Sequence, residues 1–373
     1  MRYQGPIVDV DVHHRWKNDA EIVAYLPKKW GDYVRDAKGS VPLTPPWVTM
    51  GVFLSGGGRR MDSFPPDGGK PGSDYETMKE QLLDHYNYFR AVLTYDVGEQ
   101  AAFPNQQFAG ALCSAVNDWN IDTWLSNGDD RLRSLVVVPS ATPEAAADEI
   151  RRVGTHPSMV GVLLPVNPLG RPFGDPIYHP IYKAAAELGL MVAIHPSPGD
   201  NHGVKFVGGP ANTGIEYINQ FGAQAMHYIS SYIVQGVFEQ FPDLKITIKE
   251  FGVSWLPTLM WRLDQNYDLL RRESPWVKKL PSEYIREHIK LSTQPIEVGK
   301  DPGAWVELMS TIEGVEDMLC FSTDYPHYSF DDPAYIARIL PESWHRKVFC
   351  ENACRIYGWQ VPEGVFRAAE AVR

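Results

Sequence analysis

Asp11 and His13 stand two residues apart at the end of an apolar run, Ile7-Val8-Asp9-Val10-Asp11-Val12-His13-His14. Side chains alternate across a strand, so Asp9, Asp11 and His13 project to one side and His14 to the other. A carboxylate and an imidazole on one face can grip a divalent metal, or they can simply finish a strand as polar groups. Three further residues occupy the same kind of position. His195 closes the apolar segment 190–195, Glu250 closes 244–250, and Asp324 closes 318–324. Each stands where a hydrophobic stretch stops, and each is a metal-ligand or acid–base type. Buried polar groups must find partners, so five of them converging on one place call for a common one. A metal ion supplies it.

Such convergence requires strands that end on one rim. After the first, strands are expected at Arg90–Tyr95, Leu132–Val138, Met159–Leu164, Leu190–His195, Leu244–Glu250, Ile289–Thr293 and Met318–Asp324, nearly all followed by a helix. Thr142-Pro143-Glu144 reads as a helix start, and residues 214–240 read as one long helix with Ile215, Ile218, Ala225, Ile229 and Ile233 at helical spacing. Near-continuous apolar strands point to a parallel sheet buried on both faces. Eight such units predict an α/β fold, a (β/α)8 TIM barrel whose chemistry sits at the C-terminal strand ends. An open doubly wound sheet is the alternative, weakened by the absence of any phosphate-binding glycine pattern after a strand. Residues 17–73, dense in Pro and Gly, predict an irregular insertion after strand 1. Trp47, Phe53 and Phe64 there favour a packed lid over a linker. The chain, 1–373, is expected to form one domain carrying that lid.

Hydrophobic residues at 44% and charged residues at 22% describe a folded chain, and the net charge of −11 disfavours nucleic acid or an anionic membrane as partner. No apolar run is long enough to span a bilayer. Cys113, Cys320, Cys350 and Cys354 form no CxxC pair or disulfide framework, which predicts a cytoplasmic protein.

Four segments together resemble the amidohydrolase superfamily, in the branch related to aminocarboxymuconate-semialdehyde decarboxylase. They are Val8-Asp9-Val10-Asp11-Val12-His13, in place of a D-x-H-x-H strand; Val192-Ala193-Ile194-His195-Pro196; Phe241-Pro242-Asp243-Leu244-Lys245-Ile246 leading into Glu250-Phe251-Gly252; and Ser322-Thr323-Asp324-Tyr325-Pro326-His327. Glu351-Asn352-Ala353 resembles a further family element. The resemblance implies that Asp11, His13, His195 and Asp324 hold one divalent metal, zinc, manganese or iron. The fourth strand, Met159–Leu164, lacks the lysine with which binuclear relatives bridge two ions. It also suggests a homodimer, with the aromatic-rich helix near Tyr217–Phe238 as a contact surface.

The sequence departs from that family pattern twice: Asp11 replaces the first histidine, and Glu250 stands where the decarboxylases have a histidine that handles the proton. Two carboxylates and two imidazoles make a harder ligand set, which suits manganese or iron beside zinc. Without the proton-handling histidine, the expected reaction is hydrolysis of an acyl bond (amide, ester, lactone or thioester) in a partly apolar small molecule. Glu250 or Asp324 would then take the proton of a metal-activated water. The alternatives are a metal-dependent non-oxidative decarboxylase and a ligand-binding barrel that has lost catalysis. His327 and Trp47 are expected to contact substrate. Asp9 is expected to orient a ligand from behind, His14 to be structural, and Lys249 to fall on the face opposite Glu250.

Overall fold

The computed structural model describes residues 3–38, 43, 58–96, 98–165, 167–197, 211 and 213–363. Eight parallel strands pair in chain order. They are β1 Ile7–His14, β2 Tyr88–Tyr95, β3 Leu132–Val137, β4 Met159–Leu164, β5 Met191–Ile194, β6 Ile246–Ile248, β7 Ile289–Ser292 and β8 Leu319–Cys320. Most of their residues are buried whichever face they occupy, because helices cover the outside and side chains fill the inside. The ring is nearly closed by the segment after β8. Val10 N donates to Phe321 O at 3.0 Å, His13 N to Tyr325 O at 2.7 Å, and Val12 bridges Tyr325 in parallel. This is the expected (β/α)8 barrel, with all C-terminal strand ends on one rim.

The helices between strands follow from their sequences. In Pro143–Val153 a proline fills the first turn, Glu144 sits near the positive helix end, and Ala146, Ala147, Ile150 and Val153 pack inward. The single helix expected over 214–240 is instead three, Gly214–Asn219, Phe221–Val234 and Val237–Gln240. Gly236 adopts φ 75° before the last of them, a conformation that helical spacing does not register. Tyr217, Phe221, Tyr228, Tyr232 and Phe238 are all buried in the chain's own core, so the aromatic side chains expected at a contact surface face inward.

The insertion is less irregular than its composition suggests, since helices run over Asp19–Val23 and Lys28–Asp36. Phe64, expected to be packed, is 43% exposed. Trp47 and Phe53 lie outside the described residues, as does most of 39–57. The end of the insertion is stitched to the rim: Arg60 N donates to Pro326 O at 2.9 Å and Tyr328 N to Gly58 O at 3.0 Å. Gly72 lies against the backbone of β1 at φ 78°, where a Cβ would stand 2.9 Å from the His13 carbonyl oxygen. Only glycine allows that approach. No helix among the described residues is long and apolar enough to cross a membrane.

Candidate metal centre

β1 presents Asp9, Asp11 and His13 to the barrel interior, and all three are buried. His13 Nε2 lies 3.1 Å from Asp324 Oδ1 and 3.9 Å from Asp11 Oδ1. From the end of β5, His195 Nε2 lies 3.6 Å from Asp11 Oδ2 and 3.0 Å from Glu250 Oε2. The structure thus gathers Asp11, His13, His195, Glu250 and Asp324 at one mouth, and His327 joins them. The rings of His13 and His327 are 4.4 Å apart. Trp47, the other residue expected to touch substrate, falls outside the described residues.

The orientation of these groups suits a cation. His195 Nδ1 is 2.7 Å from Pro196 O, so Nδ1 carries the proton and donates, and Nε2 turns its lone pair into the cluster. Among the described residues, His195 Nε2, both nitrogens of His13 and Oδ2 of Asp11 are buried with no well-formed hydrogen bond. Buried donors and acceptors without such bonds are rare, and several facing one point is the pattern of a ligand set. Two imidazoles and two carboxylates fit one divalent ion of borderline to hard character.

Asp324 is fixed from behind, since Oδ2 accepts from Gln294 Nε2 at 3.1 Å and Ser329 Oγ at 2.9 Å. Its Oδ1 pairs with His327 Nδ1, and His327 Nε2 is 3.3 Å from Asp96 Oδ1. Both nitrogens of His327 therefore face carboxylates. Burial works against its charge, but Asp324 and Asp96 together outweigh burial and raise its pKa to about 9. Asp96 in turn meets Arg59 and, at 2.8 Å, Arg15 Nη1. Burial pushes the Asp11 carboxyl up, but Lys249 and then His195 pull it further down, so it stays below the ordinary carboxylate range.

Asp9 does not reach the cluster. Its oxygens accept from Thr323 Oγ1 at 2.6 Å, Tyr88 OH at 2.9 Å and Asp11 N at 3.0 Å, tying β1 to its neighbours and steadying Asp11. His14 packs among Tyr95, Trp119 and Trp124 on the outer side. The strand parity expected for β6 does not hold. Lys249 is fully buried inside the barrel, its Nζ 3.6 Å from Asp11 Oδ1, although Glu250 was expected to own that face. The ladder ends at Ile248, and φ 60° at Glu250 swings that side chain to the mouth independently of alternation. Sequence reasoning misses Thr94, Asp96 and Gln294 and puts Lys249 on the wrong face. Thr94 and Asp96 end β2 and Gln294 follows β7, so a scan of polar residues at every strand end would have found three of the four.

Eight parallel strands with a buried imidazole–carboxylate cluster at the C-terminal rim define a metal-dependent barrel enzyme. The chain belongs to the amidohydrolase family, whose model matches residues 10–359. A gamma-resorcylate decarboxylase of Rhodococcus jostii (strain RHA1) is 22% identical over 304 residues, covering 76% of this chain and 88% of the relative. A 2-amino-3-carboxymuconate-6-semialdehyde decarboxylase of Dictyostelium discoideum is 27% identical over 182 residues, 47% of each. A dihydroxybenzoic acid decarboxylase of Polaromonas sp. JS666, solved with manganese and the inhibitor 2-nitroresorcinol, superposes with a TM-score of 0.65 at 17% identity, covering 95% of this chain and 97% of that one. These relatives overturn the expected acyl-bond hydrolysis: they are decarboxylases, which matches the alternative weighed against it. The physical reason lies in how little one residue decides. Glu250 in place of a histidine leaves the Asp11, His13, His195 and Asp324 cluster in place, and other carboxyl and imidazole groups at the mouth can handle a proton. Manganese, one of three ions considered, is the one a related structure contains.

Proposed function

We propose that this chain is a metal-dependent, non-oxidative decarboxylase acting on a hydroxylated aromatic carboxylic acid. The observation that carries the reading is the set of buried Asp11, His13 and His195 atoms without a well-formed hydrogen bond, with Asp324 Oδ1 3.1 Å from His13 Nε2, in a chain whose relatives are decarboxylases. These four residues would hold one divalent ion. That ion, when bound, would supply positive charge to anchor the substrate's anionic oxygens.

The rest of the chemistry falls to the chain. Loss of CO2 from an arene requires a proton at the ring carbon that carries the carboxylate, followed by cleavage of the bond between them. The electron pair of that bond returns to the ring. Asp324 Oδ1, paired with His327 Nδ1, is the group assigned to deliver the proton, and His327, held charged by two carboxylates, resupplies it. Glu250 is assigned to take the proton of a ring hydroxyl, which enriches the ring and eases protonation at carbon. His327 also forms one wall for the substrate. A cytoplasmic location and a homodimer belong to the same reading; all four cysteines are free and buried, as a reducing compartment allows.

The test is CO2 release from dihydroxybenzoates by the manganese-loaded protein, run in D2O. Deuterium should appear at the vacated ring carbon, and Asp324→Asn should slow release by about 100-fold or more. Manganese binding without CO2 or deuterium uptake across the panel would reject the reading.

A further inference from the structure

Lys249 is a fully buried cation that no step of the proposed reaction uses. Its Nζ stands 3.0 Å from Thr94 Oγ1 and 3.6 Å from Asp11 Oδ1. The Thr94 hydroxyl has a single proton, and it donates that proton to Asp11 Oδ1 while accepting from Lys249. The two oxygens of Asp11 therefore differ. Oδ1 is taken by Thr94 and faced by the ammonium. Oδ2 has no hydrogen bond and faces His195 Nε2 at 3.6 Å.

We propose that Lys249 is a positioning residue of the metal centre. Directly and through Thr94 it occupies Oδ1 of Asp11 and leaves Oδ2 as the oxygen without a hydrogen bond, free for an ion, and it offsets the charge of a carboxylate at this place in strand 1. An unpaired carboxylate buried beside Asp324 and Glu250 would add a third negative charge to a dry site, which is costly. Paired with Lys249 it contributes no net charge, as a neutral imidazole at position 11 would.

The inference rests on the metal centre proposed above, and Mn2+ affinity separates the two. Free Mn2+ is titrated by electron paramagnetic resonance against the full-length wild type, Lys249→Met, Asp11→His and the double variant, well below their melting temperatures. Lys249→Met should weaken binding about 10–100-fold, the range seen when a group orienting a metal ligand is removed. Asp11→His alone, an imidazole beside an uncompensated ammonium, should lose about as much. The double variant should return to within about three-fold of wild type, because coupled residues are not additive. Losses that add in the double variant, or wild-type affinity in Lys249→Met, would overturn the proposal. Wild-type protein that binds no Mn2+ would instead defeat the metal centre itself. Should Lys249→Met fail to fold, the double variant decides alone. Folded and binding Mn2+ it supports the pairing; unfolded, it makes Lys249 a structural residue only.

Discussion

Glu250 and Asp324 share one backbone conformation: each has φ 60°, and each is the residue at which its barrel strand is turned into the mouth. Side chains other than glycine rarely adopt this region, which costs about 1–2 kcal/mol per residue. Two instances just beyond β6 and β8, with carboxylates 3.0 Å from His195 Nε2 and 3.1 Å from His13 Nε2 respectively, mark where stability is given up to place functional groups.

The first prediction follows from that conformation. Glu250→Gly should be more stable than Glu250→Ala by about 1 kcal/mol, the reverse of the usual order, because only glycine relaxes at positive φ. Both variants should lose CO2 release. Urea denaturation of the metal-free proteins measures the difference, and an alanine variant equal to or more stable than glycine would show that Glu250 is unstrained.

The second concerns the ion. Mn2+ should raise the stability of the wild type in proportion to the logarithm of its concentration, by about 2.7 kcal/mol at 100 times its dissociation constant. Chelation should abolish CO2 release and added Mn2+ restore it. His195→Ala should lose most of the stabilisation, since Nε2 of His195 is one of the atoms facing the cluster. Equal stabilisation of that variant would remove His195 from the ligand set.

The barrel was legible because its signal repeats: eight apolar segments, each bounded by turn residues, leave few ways to bury them all. The residues brought together in the cluster were legible for a related reason, since Asp11, His13, His195 and Asp324 each interrupt an apolar run where it ends. What stayed hidden depends on backbone torsions and on partners far away in sequence. Lys249 was assigned by alternation, which fails once φ at Glu250 turns positive. Gly236 breaks a helix whose hydrophobic spacing continues through it. Asp96 looks like any loop aspartate until Arg15, Arg59 and His327 are seen around it. The reaction is hidden for a similar reason: the single residue type at Glu250 says little about chemistry shared among several carboxyl and imidazole groups at the mouth.

A third prediction concerns pH. Burial is the main cause that raises the pKa of Asp331 to about 7, against 3.8 ordinarily, with the Asp324 charge adding to it. The folded state therefore holds this proton more tightly than the unfolded state. Its contribution to stability is fully present below pH 4 and is lost as pH rises through 7. Asp331→Asn keeps an acceptor for Ile296 N, which donates to Oδ2 at 2.9 Å, and cannot ionise. Relative to wild type, the variant should gain about 4 kcal/mol between pH 4 and pH 8. Denaturation curves at the two values measure it, and a parallel pH dependence in both proteins would place the titration elsewhere.

The last prediction separates the charge of Asp96 from its shape. Asp96 is buried, with Arg15, Arg59 and His327 around its two oxygens. Asp96→Leu would leave two guanidinium groups without their anion and should destabilise the protein by about 3–5 kcal/mol. Asp96→Asn keeps the size and one acceptor but removes the charge, so its cost in stability should be smaller. Its cost in turnover should not be smaller, because an amide holds the His327 proton less firmly and weakens its delivery to Asp324. Asp96→Asn should therefore lower kcat by about 10-fold or more, while Mn2+ affinity should change little, because Asp96 meets the cluster through His327. Loss of Mn2+ together with turnover would make Asp96 a support of the ligand set. An unchanged kcat would take His327 out of the proton path.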